Sequence, residues 1–202
     1  MKNTIQIKMK KIDIQQIIES SIATKQQIIN DKTIMETVQQ VADAIVTCYQ
    51  HGGKVLFCGN GGSAADAQHL AAELSGRFYF DRPPLEAEAL HVNSSYVTAI
   101  ANDYSYNDIY SRYVSGVGKP GDVIIGFSTS GNSENIVRAL QVARRKKLIT
   151  VGMTGAMGGK LRELSDYLLN VPSMDTPRIQ ESHIMLGHIF CEIVEEALFG
   201  RK

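Results

Sequence analysis

Residues 54–78 read KVLFCGNGGSAADAQHLAAELSGRF. The first five residues, KVLFC, form an apolar run of strand length. Gly59, Asn60, Gly61 and Gly62 break it, and from Ser63 to Ser75 the apolar residues fall at helical spacing. A strand that turns through glycines straight into a helix is the opening half of a βαβ unit. The same rhythm continues outward. EAEALHV (86–92) reads as a strand, with helical stretches at 94–101 and 107–117 after it. DVIIGF (122–127) reads as the next strand, followed by the loop STSGNS and a helix at 134–146. LITVGM (148–153) and YLLNV (167–171) supply two more strands, and a last helix spans 179–199. Short apolar strands alternating with helices predict an α/β fold. It is a three-layer αβα sandwich around a five-stranded parallel sheet, flavodoxin-like or Rossmann-like in kind.

Ahead of this core, residues 12–30 and 33–50 predict two N-terminal helices with one apolar side each, the second ended by His51-Gly52-Gly53. Such helices serve either subunit packing or packing onto their own domain, and the pattern fits both. Residues 1–9 read as a loose end. No repeat, low-complexity tract or interior linker is present. The expectation is therefore one domain over 1–202, with a helical segment at 1–50 and the α/β core at 51–202.

Composition narrows the function. The 202 residues carry a formal net charge of +0, which excludes a dedicated nucleic-acid binder. It leaves room for a phosphorylated small molecule, because backbone N–H groups and hydroxyls hold phosphate without lysines. Cys48, Cys58 and Cys191 are odd in number and widely spaced, so they read as reduced thiols of a cytoplasmic protein. The opening MKNTIQIKMKKIDIQQ lacks an apolar stretch of signal-peptide length. Runs such as VIIGF are strand-sized, so no membrane span is expected.

In a parallel sheet of this kind ligands bind at the carboxyl ends of the strands. The loops 59–63 and 128–133 both follow strands and should open on one edge. Residues 128–133 place Ser128, Thr129, Ser130 and Ser133 around Gly131 at the start of a helix. Free N–H groups and the helix dipole favour an anion there, and four hydroxyls can donate to it. Helix capping by Ser133 alone would need one of these residues and leave the others unexplained. The loop lacks the Gly-Lys-Ser/Thr ending of a Walker loop, and Gly59, Gly61 and Gly62 do not fit G-x-G-x-x-G. A phosphate monoester on a small molecule is the ligand that remains. Between the loops, His69 and Glu73 stand four apart and so share a helix face. Alone, such a pair is equally a surface ion pair. The segment TPRIQESHIMLGHIFCEIVEEAL adds Gln180, Glu181, His183 and His188 among apolar residues.

Together, GNGGSAADAQHLAAELSGRF, ANDYSYNDIYSRYV, STSGNSENIVRAL and TPRIQESHIMLGHIFCEIVE resemble the sedoheptulose 7-phosphate isomerases, or phosphoheptose isomerases, a branch of the sugar isomerase (SIS) domain proteins. The resemblance spans roughly residues 40–200 in motif order. It implies conversion of sedoheptulose 7-phosphate to D-glycero-D-manno-heptose 7-phosphate through an enediol, at the entry to bacterial lipopolysaccharide core or other surface heptoses. It implies a Zn2+ site at His69, Glu73, Gln180 and His188, with Glu73 and His188 as the catalytic acid–base residues. Substrate contacts fall on Asn60, Gly61, Gly62, Ser63, Asp103, Ser128, Thr129, Ser130, Ser133 and Gln180. A homotetramer with active sites at subunit interfaces is also implied. Gln180 and His188 are eight residues apart, about 12 Å along one helix. Both therefore reach one ion only if Gln180 precedes the helix or the residues come from different chains. Two other readings compete: an isomerase of another sugar phosphate, and a non-catalytic adaptor of the same fold that binds the replication initiator. An adaptor has no use for the four ligands together.

Overall fold

The computed structural model describes residues 12–200, so the expected loose end at 1–9 lies outside the described residues. The chain runs α1 (Ile14–Asn30), α2 (Lys32–Gln50), β1 (Val55–Cys58), α3 (Gly62–Ser75), β2 (Ala87–Ala89), α4 (Ser94–Asp103), α5 (Ile109–Val117), β3 (Val123–Phe127), α6 (Glu134–Arg145), β4 (Ile149–Thr154), β5 (Tyr167–Asn170) and α7 (Thr176–Phe199). Single 3-10 turns occupy Tyr106–Asp108 and Gly159–Glu163. The five strands pair in parallel in the order β2-β1-β3-β4-β5. This is the expected three-layer α/β architecture.

Strand residues alternate between two cores, as the period of two requires. Val55, Phe57, Val123, Ile125 and Phe127 face the layer of α2, α3 and α7. Leu56, Cys58 and Ile124 face the layer of α5 and α6. Asp31 explains why the first two helices are separate. It leaves helical geometry, and its carboxylate accepts from Thr33 N and Ile34 N to cap α2. Of the two roles open to these helices, α2 packs on its own domain, burying Ile34, Val38, Val41, Ala42 and Ile45. Helix α1 buries Thr24 and Ile28 but leaves Ile14, Ile18, Ile22 and Ile29 exposed.

Two boundaries differ from the sequence expectation by three residues. The strand expected at 86–92 is three residues long, because Val92 N turns back to Ala89 O and ends the ladder. The last helix begins at Thr176 rather than 179, with Pro177 in its first turn, where a missing N–H carries no penalty. Gln180 therefore lies inside α7 and does not precede it.

His183 is fully buried on α7, and its Nε2 donates to Thr154 O at 3.1 Å while Nδ1 has no partner. Burial lowers the pKa of this imidazole to about 4, against the pull of the Thr154 carbonyl. The sign follows from linkage. The unfolded chain takes up a proton near pH 6.5 and the folded one only near pH 4, so stability is lost as pH falls through that window. Between about pH 7.5 and about pH 5 the loss from this residue is about 2 kcal/mol. Urea unfolding at both values checks this: His183→Gln, which still donates to Thr154, should show a shallower acid loss than the parent. Equal losses in both proteins would remove His183 as the cause.

Candidate active site

Strand order β2-β1-β3-β4-β5 reverses direction between β1 and β3. The helix after β1, α3, goes to one face of the sheet and the helix after β3, α6, to the other. A crevice opens between them at the carboxyl ends, where α/β sheets bind ligands. The glycine loop and the serine loop form its two lips. Asn60 and the buried Asn135, at the start of α6, clasp each other across it. Each side-chain amide donates to the other's oxygen, at 2.9 and 2.8 Å. Tyr106 OH is a second donor on Asn60 Oδ1, at 3.1 Å, and buried Tyr110 OH donates to Gly59 O at 2.5 Å.

The serine loop is folded around its own hydroxyls. Ser128 Oγ lies 2.9 Å from Ser133 Oγ and 3.4 Å from Ser130 Oγ, and Ser133 N donates to Ser128 Oγ. Ser133 occupies the N-cap position of α6, but its hydroxyl caps nothing. Simple capping therefore does not account for the loop. Gly131 sits at φ +68°, and a Cβ there would lie 2.1 Å from Gly158 O. The tight passage of loop against loop thus admits only glycine. Two nearby cations are already engaged: Arg138 pairs with Glu134 and Asp108, and Lys160 pairs with Glu134 at 3.6 Å. An anion on this loop would be held by hydroxyls, backbone N–H groups and the helix N-terminus.

Further along α3, His69 and Glu73 meet a second helix. Gly187 on α7 lets Leu70 come so close that a Cβ would fall 2.4 Å from its Cδ1, and the next residue, His188, lands beside His69. His188 Nε2 lies 3.0 Å from His69 Nε2, and His69 Nε2 lies 3.0 Å from Glu73 Oε1. One donor atom from each of the three residues lies within 4.8 Å of the others. Phe78 borders the cluster, its ring 5.8 Å from that of His188. The cluster is half open: His69 is 49% exposed and Glu73 26%.

The other expected site residues divide. Ser63 is buried under the glycine loop, and Gly61 and Gly62 are exposed on the crevice side of α3. Gln180 lies against Gly62, its amide 2.9 Å from where a Cβ would sit. Gly62 is seven residues before His69, roughly 10 Å up the helix. The structure therefore brings His69, Glu73 and His188 together within one chain and puts Gln180 at the other end of α3. Asp103 ends α4 and is exposed, accepting from Asn102 Nδ2 at 2.9 Å. The loop after it reaches the crevice through Tyr106.

Two residues at the site are not signalled by the sequence patterns. Asn135 is one. The other is Asp66, one turn before His69, whose Oδ2 is buried without a partner. Burial pushes its carboxyl up to about 6, with His69 pulling the other way. The i, i+3 spacing of Asp66 and His69 is the one clue the sequence offers.

Comparison with known proteins agrees with this geometry. The SIS domain family matches residues 16–155. The phosphoheptose isomerase of Aneurinibacillus thermoaerophilus is 53% identical over 185 residues, 92% of this chain and 93% of that protein. The phosphoheptose isomerase structure from Neisseria gonorrhoeae superposes with a TM-score of 0.85 at 41% identity, covering 91% of this chain and 97% of that one. The one from Francisella tularensis gives 0.87 at 36% identity, covering 91% and 96%.

Proposed function

This chain belongs to the SIS domain family, among the phosphoheptose isomerases, and from that premise we propose that it interconverts sedoheptulose 7-phosphate and D-glycero-D-manno-heptose 7-phosphate. The observation that carries the reading is the convergence of His69, Glu73 and His188 along and beside α3, the helix that leaves the glycine lip of the crevice. In this reading the phosphate of the seven-carbon chain lies at the serine loop and the reacting carbonyl at His69, Glu73 and His188.

The serine loop, through Ser128, Thr129, Ser130 and Ser133, binds the phosphate and fixes the far end of the substrate, so remote binding orients the reacting end. Gly61, Gly62, Ser63, Asn60 and Gln180 line the stretch between, with Asp103 closing over it. At the reacting end a proton leaves C1 and another arrives at C2, by way of a cis-enediol. Glu73 and His188 exchange those protons with the carbons and with their oxygens. Two imidazole nitrogens and a carboxylate oxygen are a donor set that suits zinc, whose ligand atoms stand roughly 3.3 Å apart when tetrahedral. His69, Glu73 and His188 would hold the ion, with Gln180 from a neighbouring chain as a fourth donor. Bound zinc would supply Lewis-acid polarisation of the substrate oxygens.

The working form is a homotetramer with sites at subunit interfaces. The exposed isoleucines of α1 support an assembly, as does an open apolar groove of about 650 Å³ lined by Tyr79, Phe80, Ile189 and Ile193. Among the described residues no helix is long and apolar enough to cross a membrane. The three free, buried cysteines suit work in the cytoplasm, on heptoses bound for lipopolysaccharide or other surface sugars.

Incubation with sedoheptulose 7-phosphate, with added zinc or with a chelator, tests the reading by NMR detection of the aldose phosphate. Conversion with zinc and its loss on chelation are expected. A folded protein inert under every condition would overturn it.

A further inference from the structure

A buried ion pair lies directly behind the reacting cluster. Arg82, in the segment between α3 and β2, and Glu195, on α7, have side chains 2% and 1% exposed, with Nε and Oε1 2.9 Å apart. The remaining guanidinium donors gather the end of α3. Nη2 donates to Glu73 O at 3.0 Å, and Nη1 donates to Leu74 O at 2.8 Å, Gly76 O at 3.2 Å and Pro83 O at 3.1 Å. Three of these carbonyls belong to the end of a helix, where no intrahelical donor remains. The Glu195 carboxylate accepts from three successive backbone N–H groups: Phe78 at 2.9 Å, Tyr79 at 2.5 Å and Phe80 at 3.0 Å. Phe78 in turn sets its ring against His188. Glu195 and His188 are seven residues apart, two turns along one helix.

We propose that Arg82 and Glu195 are positioning residues for the isomerisation, holding Glu73 through its own carbonyl and His188 through Phe78. The proposal rests on the reading that Glu73 and His188 move the protons. One end of the pair grips the backbone of the first residue, and the other grips the loop that packs on the second. Neither side chain reaches the crevice, so neither is a catalytic residue. Only the planar guanidinium makes all of these contacts, because a lysine keeps the charge but cannot reach four carbonyls and a carboxylate from one nitrogen.

The conservative variants Arg82→Lys and Glu195→Gln test this. Each is expected to lower kcat by about tenfold to a hundredfold, the usual effect of removing groups that orient metal-binding side chains. KM for the sugar phosphate should stay within about twofold, because the serine loop is untouched. Titration of the metal-free protein with zinc alone should show about tenfold weaker binding. Lys54→Met is the control. It breaks another buried pair, Lys54 Nζ to Asp122 Oδ2 at 2.9 Å, at the opposite ends of β1 and β3. It should lower the melting temperature and leave kcat and zinc affinity unchanged. A folded Arg82→Lys with parental kcat and zinc affinity would overturn the proposal. If that variant does not fold, Phe78→Leu decides, because it keeps both charges and removes only the ring beside His188. A fall in kcat with a shifted His188 imidazole NMR signal supports the linkage, and parental values for both refute it. Should the parent itself fail to convert the heptulose phosphate while the variants still weaken zinc binding, the assigned reaction falls and only the positioning of the zinc-binding side chains stands.

Discussion

Glu73→Gln and His188→Gln are each expected to lose about a hundredfold to ten-thousandfold in kcat, the range assigned to a positioned acid or base. Both substitutions keep the size of the side chain and a polar atom near its tip. Glutamine at 73 removes the carboxylate that lies 3.0 Å from His69 Nε2, and with it the group that can take a proton from carbon. Glutamine at 188 removes the imidazole that meets His69 at 3.0 Å. Neither touches the serine loop or the exposed faces of α1, so the oligomer and the affinity for the phosphate end should survive. Turnover followed by NMR, with gel filtration on the same samples, separates chemistry from assembly. A variant that turned over near the parental rate would take its residue out of the proton-transfer role.

Gly131→Ala should act at the other end of the crevice, with a loss of about a hundredfold in kcat/KM. Two faults add at this position. The backbone sits at φ +68°, where an L side chain is strained, and the new Cβ would meet Gly158 O at 2.1 Å and Gly158 C at 2.5 Å. Those neighbours are backbone and cannot swing aside, so the serine loop itself must move. Displacing the hydroxyls of Ser128, Ser130 and Ser133 should raise KM and weaken the binding of inorganic phosphate. Gly121→Ala is the comparison. Its φ is +88° with nothing within 4 Å of a Cβ, so it strains a turn at the start of β3 and should leave KM alone. Parallel KM values for the two variants would show that backbone strain, and not loop placement, is what the assay reads.

The sheet was legible because its central strands are buried on both faces and so read as short, mostly apolar runs. Strand β2 was overestimated for the same reason. Leu90 is apolar and buried inside the turn that Val92 N closes onto Ala89 O, and hydropathy does not register that turn. His69 and Glu73 could be paired from their spacing alone, because four residues is a single helical turn. The meeting of His188 with His69 is a contact between α3 and α7 that no local period encodes, and it came only with the family resemblance. Asn135 and the Arg82–Glu195 pair bond to partners 75 and 113 residues away. Asparagine at the start of a helix and charges near helix ends are ordinary on the surface, and only burial marks these as different. Gln180 shows the converse. The resemblance placed it with the ligands, and the helix that contains it places it at Gly62.

Isomerisation of sedoheptulose 7-phosphate in D2O is the most direct test that one crevice holds the phosphate and moves a proton at the far end. Removal of a C1 proton by Glu73 or His188, exchange with solvent and delivery to C2 should leave deuterium at C2 of the aldose phosphate. The Glu73→Gln protein should form product and label about a hundredfold or more slowly. Rapid conversion with no deuterium at C2, under conditions where the acid–base residues exchange freely with solvent, would contradict proton transfer through them.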